Sequence, residues 1–596
     1  MCGILAGFTT KGRAAQRFSP LIKKLEHRGP DAKDGFSGFN DNLFLAHTRL
    51  KILDLSDHAN QPLKSPCGRY TLIYNGEIYN YIELRNKLSK YWEWKTNSDT
   101  EVILAAWTIW GANSLHQLNG MFAFAIFDSR LKKITLVRDR FGIKPLYYSK
   151  NADGWIIASE IQPILSFYNQ RNEANKSAIR TYLEKGLYDH SKNTFFSNVY
   201  SLEPGSLINI DLVKSTWEFG KWYNLVSNIT DLSSVDIEDI EYEAENLINN
   251  AIKSHLIADV DVGLNVSGGV DSSMLVEVAK SEINVLHLFN QDYENYSELN
   301  WVNKIAAAGK LHVISLDHQK IKEWIDSTVQ VQAEPFGGVT VCGYNELYRR
   351  AEENNITVLL DGNGVDEIFL GYKKYHDLYV QSANNKMESV SRAVDFQTFW
   401  GTKPAPTKKE SSIDGTWGLR ENVISKKILD SELIINKISD FDDPVRNVAA
   451  EDLLYNKIPR GLRFNDRVSM AHSRELRVPF LDHNLVEFAF GIPINKLINH
   501  QGTKSIFRKI LSKKAPKSIA YATKRSVQSP QREWFSSHWK KMLESIVFSE
   551  SFIDRNWVDT DKARIAYQDY LSGNNSNSFF LWQWFNLELW AREYLD

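Results

Sequence analysis

The 596-residue chain is 43% hydrophobic and 24% charged, so it can bury several cores and is not a disordered polymer. Lys and Arg total 71 against 73 for Asp and Glu, a formal net charge of −2. That balance argues against non-specific attachment to nucleic acid and leaves small acidic substrates open, because these need only a local basic pocket.

Cys2, Cys67 and Cys342 are scattered and form neither a disulfide framework nor a CxxC metal spacing. No apolar run approaches the roughly 18 residues of a membrane span. The opening MCGILAGFTT lacks the basic start and long apolar stretch of a secretory signal. A soluble, cytoplasmic chain without nucleic-acid or membrane partners is expected.

Residues 1–223 carry short apolar runs broken by Gly, Asn, Asp and Pro: CGILAGF, NLFLAHTRL, YTLIYNGEIYN, GMFAFAIFD, KITLVRD and GWIIASE. They predict a strand-rich domain with two layers of sheet. Val102, Ile103, Ala106, Trp107 and Trp110 follow helical spacing over 99–110. The acidic, turn-rich stretch 224–245 reads as a crossing into a second domain, 224–596. There, predicted strands at 262–266, 284–289, 311–316 and 356–361 alternate with helices near 271–280 and 297–308. This pattern implies a mostly parallel sheet with helices on both faces. Residues 403–416 (KPAPTKKESSIDGT) read as a loop, and helices dominate from about 450 onward.

Cys2 carries the first chemistry. Removal of Met1 would leave its thiol beside its own α-amine, a compact nucleophile and base; alternatively it is simply the start of a buried strand. YNGEIYN (74–80) puts Asn75 and Gly76 in a predicted turn, where an amide and a backbone N–H could hold an oxyanion. In SDTE (98–101), Ser98 or Asp99 reads as a helix cap. Single arginines such as Arg49 and Arg138 more commonly make surface ion pairs.

Together MCGI, HRGPD, HTRL, YNGEIYN, SDTE, GMFAFAIFD, RDRFGIKPLYY and ASE resemble, in matching order, the glutaminase domain of class II, N-terminal-nucleophile amidotransferases. The resemblance implies an α+β fold in four layers, αββα. It implies that Cys2 attacks the glutamine amide with its α-amine as base, and that Asn75 and Gly76 hold the oxyanion. Arg49 would bind the glutamine carboxylate, and Glu77 and Asp99 its amino group. One cationic and one anionic anchor suit an amino acid.

SGGVDSS (267–273) follows a predicted strand and opens a helix. Gly268 and Gly269 let the backbone approach closely, Ser267, Ser272 and Ser273 offer hydroxyls, and the helix start offers N–H groups, a cradle for pyrophosphate. No GK[ST] follows, so it is not a Walker A loop. DGNGVDE (361–367) follows the strand ITVLL, and both segments should face one crevice at the carboxyl ends of the strands. Asp271 and Asp366 are then candidates for Mg²⁺, or else a helix cap and a loop carboxylate.

With LRFNDRVSMAHSRELRVPFLDHNLVEFA (462–489) and GTKSIFRKIL (502–511), these segments resemble the synthetase domain of glutamine-dependent asparagine synthetases. That implies an α/β, parallel-sheet ATP pyrophosphatase domain with added helices. Ser267, Gly268, Gly269, Asp271, Ser272, Gly362 and Asn363 would bind ATP, Asp271 and Asp366 the Mg²⁺. Lys504, otherwise a surface helix lysine, would stabilise charge. A substrate carboxylate would be adenylated and then amidated by ammonia from the first site, delivered through an internal tunnel. The resemblance also suggests a homodimer.

Two features depart from the family. Asn363 stands where asparagine synthetases commonly carry an acid, and an amide cannot take a proton. HLFNQDYEN (287–295) replaces a small, Gly-containing turn. Aspartate is the default acceptor. A different carboxylate (a sugar uronic acid or a secondary-metabolite precursor) and a binding or regulatory protein without synthetase chemistry are the alternatives.

Overall fold

The computed structural model describes residues 2–168, 171–307, 309–405, 421–523, 529–573 and 577–596. The first part of the chain forms β1 (Gly3–Thr9), β2 (Ala32–Gly38), β3 (Leu43–Arg49), β4 (Leu63–Lys64), β5 (Tyr70–Ile78) and β6 (Gly120–Asp128). It continues with β7 (Lys133–Arg138), β8 (Tyr147–Asn151), β9 (Gly154–Ala158), β10 (Tyr200–Ser201), β11 (Ser206–Asp211) and β12 (Thr216–Lys221). These sort into two six-stranded sheets, in the orders β10-β8-β9-β1-β3-β2 and β12-β11-β7-β6-β5-β4.

Alternation along the strands builds the layers. Ile4, Ala6 and Phe8 of β1 turn inward and meet Ile73, Ala123 and Phe127 of the facing sheet. Leu5 turns outward to Phe18, Leu25 and Ile161, whose short helical segments cover that face. On the opposite side, Leu72, Tyr74 and Phe124 pack beneath the helices Tyr81–Leu88 and Asp99–Trp110. The order helix, sheet, sheet, helix is the four-layer αββα arrangement of an N-terminal-nucleophile fold.

The second sheet system comprises β13 (Val262–Asn265), β14 (His287–Tyr293), β15 (Lys310–Leu316), β16 (Val358–Leu360) and β17 (Glu475–Arg477). The order is β15-β14-β13-β16-β17, and every pairing is parallel. Phe289, Ile314 and Leu359 pack with Ile325, Val329 and Tyr348 on one face. Leu264, Leu288 and Leu360 pack with Met274 and Ile248 on the other. Both faces are covered, as parallel sheets require. Among the described residues, no helix is long and apolar enough to cross a membrane.

Three expectations change. The strand predicted at 284–289 runs from His287 to Tyr293, because its seven residues pair with β15, leaving Val285 exposed. The acidic stretch 224–245 contains the start of a helix, Ile237–His255. Ile240, Ala244, Ile248 and Ile252 face the core, Glu238, Asp239 and Glu243 are exposed, and the buried Glu241 pairs with Lys509. The three-residue β17 was not anticipated within a helical region. Of the predicted loop 403–416, residues 406–416 lie outside the described residues.

Candidate active sites

Cys2, Arg49, Gly76, Glu77, Asp99 and Glu475 border one narrow cavity. Cys2 immediately precedes β1, and its backbone N–H donates to Asn75 Oδ1 at 2.9 Å. That bond fixes the amide, whose buried Nδ2 has no hydrogen-bond partner among the described residues. Burial pushes the Cys2 thiol up from its ordinary value, opposed by the amino terminus and Arg49.

Asn75 and Gly76 do not lie in a turn. They sit within β5, opposite Ala123 and Phe122. Gly76 answers a close approach of strands: a Cβ there would lie 2.1 Å from the Met121 carbonyl oxygen.

Arg49 closes β3 and is buried rather than surface-paired. Its guanidinium donates to the Ser56 carbonyl at 2.6 Å, Asn60 Oδ1 at 2.8 Å, the Leu53 carbonyl at 3.2 Å and the Asp54 carbonyl. Arg138 likewise spends its donors on the carbonyls of Gly142, Lys144 and Leu202 and on Ser201. Ser98, not Asp99, caps the helix Asp99–Trp110, accepting from the Glu101 N–H. Asp99 Oδ2 accepts from the Tyr74 hydroxyl at 2.7 Å and the Ile78 N–H at 3.0 Å. Burial outweighs these bonds and raises the Asp99 carboxyl to about 6.

Sequence reasoning missed two residues here: Glu475, which borders the cavity, and Arg477, which holds Glu475 and Glu77. Arg477, fully buried on β17, donates to Glu77 Oε2 at 3.0 Å and Glu475 Oε1 at 2.6 Å. It also donates to the carbonyls of His255 and Ile257, at 2.8 and 2.7 Å. Burial and the nearby Asp99 and Glu475 push Glu77 well up, with Arg477 opposing. Burial also acts on Glu475, but the amino terminus, Arg477 and Lys144 hold it down at about 2. Two buried carboxylates, Glu77 and Glu475, thus share one arginine, and Asp99 stands close enough to Glu77 to push it up. The signal was present in RELRVPF, where Glu475 and Arg477 alternate with Leu476 and Val478 at strand period.

A second cavity is bordered by Ser267, Gly269, Asp271, Ser272, Gly362 and Asn363, and also by Asp366 and Lys504. Both loops leave the carboxyl ends of adjacent strands, β13 and β16. The Ser267 N–H donates to Ser272 Oγ at 3.2 Å, folding the loop over the start of the helix Val270–Ala279. Gly268 faces away from the cavity: at φ +65° a Cβ would lie 2.7 Å from that of Trp301. Ser273 is also turned away and donates to the Gly269 carbonyl at 2.7 Å.

Asp271 is not the cap; Gly269 occupies that position and Asp271 lies in the first turn. Asp361 Oδ2 accepts from Asn265 Nδ2 at 3.1 Å and Oδ1 from the Asn363 N–H at 3.1 Å. Its own N–H donates to the Arg477 carbonyl at 2.9 Å. Glu367 accepts from the Tyr372 hydroxyl at 2.8 Å, and burial together with Asp366 raises it to about 7.

Lys504 is not on the surface. Its Nζ lies 2.6 and 2.8 Å from the Asp271 carboxylate oxygens and 2.6 Å from Asp366 Oδ1. Among the described residues, no three His, Cys, Asp or Glu side chains gather into a metal cage. Two carboxylates already holding a cation suit Mg²⁺, which keeps water and phosphate among its ligands.

Residues 1–223 match a family model described as a glutamine amidotransferase domain, and residues 243–592 match one described as asparagine synthase. The chain is 29% identical to asparagine synthetase (glutamine-hydrolyzing) 1 of Bacillus subtilis, over 99% of this chain and 96% of the relative. It is 31% identical to a putative asparagine synthetase (glutamine-hydrolyzing) 2 of Methanocaldococcus jannaschii, over 69% of this chain and 82% of the relative. It is 25% identical to amidase chry2 of Gibberella zeae, over 96% and 95% respectively.

Proposed function

The chain belongs to the asparagine synthase family, and from that premise we propose how its two sites divide one reaction. It is a glutamine-dependent, ATP-using ligase that forms an amide. The proposed first half-reaction begins with attack of Cys2 Sγ on the glutamine side-chain carbonyl. The α-amine exposed by loss of Met1 takes the thiol proton and returns it to the leaving ammonia; water then releases glutamate from the thioester. Asn75 Nδ2 and the Gly76 N–H are assigned to the oxyanion.

The observation that carries this reading is the charge of the cavity wall. Glu77, Asp99 and Glu475 all border the cavity, with only Glu77 and Glu475 held by Arg477, and Arg49 borders the same cavity. An incoming ammonium meets this acidic side of the cavity, where Asp99 accepts only from a hydroxyl and a backbone N–H, and Arg49 faces the substrate carboxylate.

In the second half-reaction, Ser267, Gly269, Ser272 and the helix start at Val270 cradle the pyrophosphate portion of ATP. Asp271 and Asp366 would hold Mg²⁺, whose charge screens the phosphates. The acceptor carboxylate attacks the α-phosphorus and expels pyrophosphate. Ammonia then attacks the acyl carbon and AMP leaves, with Lys504 facing the negative charge. Passage of ammonia inside the protein is supported by β17: Glu475 borders the first cavity, while the Arg477 carbonyl holds Asp361 at the lip of the second. A closed route keeps ammonia unprotonated and nucleophilic.

Aspartate is the proposed acceptor. Asn363 favours a second reading, another small carboxylate, because it borders the nucleotide cavity with an amide in place of an acid. An acceptor screen reading AMP release with glutamine and ATP tests both. Aspartate-dependent AMP and asparagine support the first reading, and AMP only with another carboxylate supports the second. No AMP with any acceptor, from glutamine or from ammonium, would refute the synthetase assignment.

A further inference from the structure

Lys504 stands where a divalent cation is called for. Its ammonium contacts three carboxylate oxygens of Asp271 and Asp366 at 2.6–2.8 Å, and its side chain is only 3% exposed. Charge-assisted contacts of this length are the strong ones. The backbone is shaped around them. Lys504 adopts φ +56°, a left-handed conformation that non-glycine residues seldom take. Gly371 leaves room for the pair: a Cβ there would lie 2.0 Å from Lys504 Cε and 1.9 Å from Asp366 Oδ1.

We propose that Lys504 is an intramolecular competitor for the divalent cation. In the nucleotide-free enzyme it neutralises Asp271 and Asp366. It yields them when the cation arrives with a triphosphate, whose negative charge gives the displaced ammonium a new partner. The proposal rests on the assignment of these two aspartates to Mg²⁺. Under it, cation alone binds poorly, because its apparent affinity is scaled by the fraction of molecules in which the ammonium has moved away. Cation and nucleotide bind together, and the lysine is released toward the phosphates only in the complex that uses it.

The test is a titration of the full chain with Mn²⁺ alone, followed by electron paramagnetic resonance of the free ion, and again with a non-hydrolysable ATP analogue. The native protein should bind Mn²⁺ at least about tenfold more tightly with the analogue, within the usual range of coupling between ligands. Lys504→Met should bind Mn²⁺ without nucleotide about tenfold more tightly than the native protein. Lys504→Gln, which keeps a polar side chain, should behave alike and serves if the methionine variant shows a lowered melting temperature.

Native protein that binds Mn²⁺ alone as tightly as the variants would overturn the proposal. If the variants gain nothing, while analogue-dependent Mn²⁺ binding is still lost in Asp271→Asn, the competitor role falls and the aspartate assignment stands. A gain in Lys504→Met that survives both Asp271→Asn and Asp366→Asn would overturn the aspartate assignment, and the proposal with it.

Discussion

Arg477→Met should destabilise the protein by about 3 kcal/mol at neutral pH, and the loss should shrink in acid. Arg477 is fully buried and bonds Glu475, Glu77 and two backbone carbonyls from a single guanidinium. Holding Glu475 at about 2 rather than its ordinary 4.5 is worth about 3 kcal/mol, a stabilisation to which Arg477 contributes alongside the amino terminus and Lys144. Removing one partner of a buried ion pair typically costs about 3–5 kcal/mol, because the remaining charge is stranded. The two figures agree in order of magnitude.

Because the Glu475 carboxylate is depressed in the folded state, its stabilisation is fully present above pH 4.5 and is lost as the pH falls toward 2. The gap between native and variant protein should therefore narrow by a part of the roughly 0.8 kcal/mol that the full Glu475 depression loses between pH 7 and pH 4, because the amino terminus and Lys144 still act in the variant. Urea denaturation followed by tryptophan fluorescence across that range reads it, with the slope m checked for constancy. A variant as stable as the native protein, or a loss independent of pH, would refute the reasoning.

Asn75→Ala should lower glutamine hydrolysis by about 10²–10³ in kcat through loss of the oxyanion donor, leaving ammonium-dependent AMP release intact; equal loss of both would remove Asn75 from the first site alone. Glutamine binding should weaken below about pH 6, where Asp99 protonates. With the Asp99 carboxylate receiving the substrate ammonium as proposed, kcat/KM for glutamine should fall about tenfold per pH unit, and a flat profile from pH 5 to 7 would exclude Asp99 from substrate binding. Asn363→Glu should raise aspartate-dependent AMP release if this position tunes the acceptor, and an unchanged acceptor profile would assign selectivity elsewhere in the cavity.

Much of the architecture was legible in local pattern. Short apolar runs of β-type residues, broken by Gly, Asn, Asp and Pro, announced a strand-rich domain with two layers of sheet, while the division of Ile4, Ala6 and Phe8 from Leu5 between two cores came only with the structure. Strands alternating with helices after residue 262 announced a parallel sheet, whose carboxyl ends place SGGVDSS beside DGNGVDE. These features depend on side chains a few residues apart. Segment boundaries were less legible, since the extent of β14 is set by its pairing with β15 rather than by its own composition.

The sequence by itself pointed to most of the chemical groups at the two cavities (a thiol next to the chain start, an amide, a Ser/Gly loop and paired acids) but not to Glu475 and Arg477. The tertiary structure alone decided their states and partners. Glu77 meets Arg477 across 400 residues of chain, and Lys504 meets Asp271 across 233. Charges so far apart in sequence become neighbours only when the cores close around them. Desolvation then makes each contact matter, because a buried charge must find its opposite inside the protein.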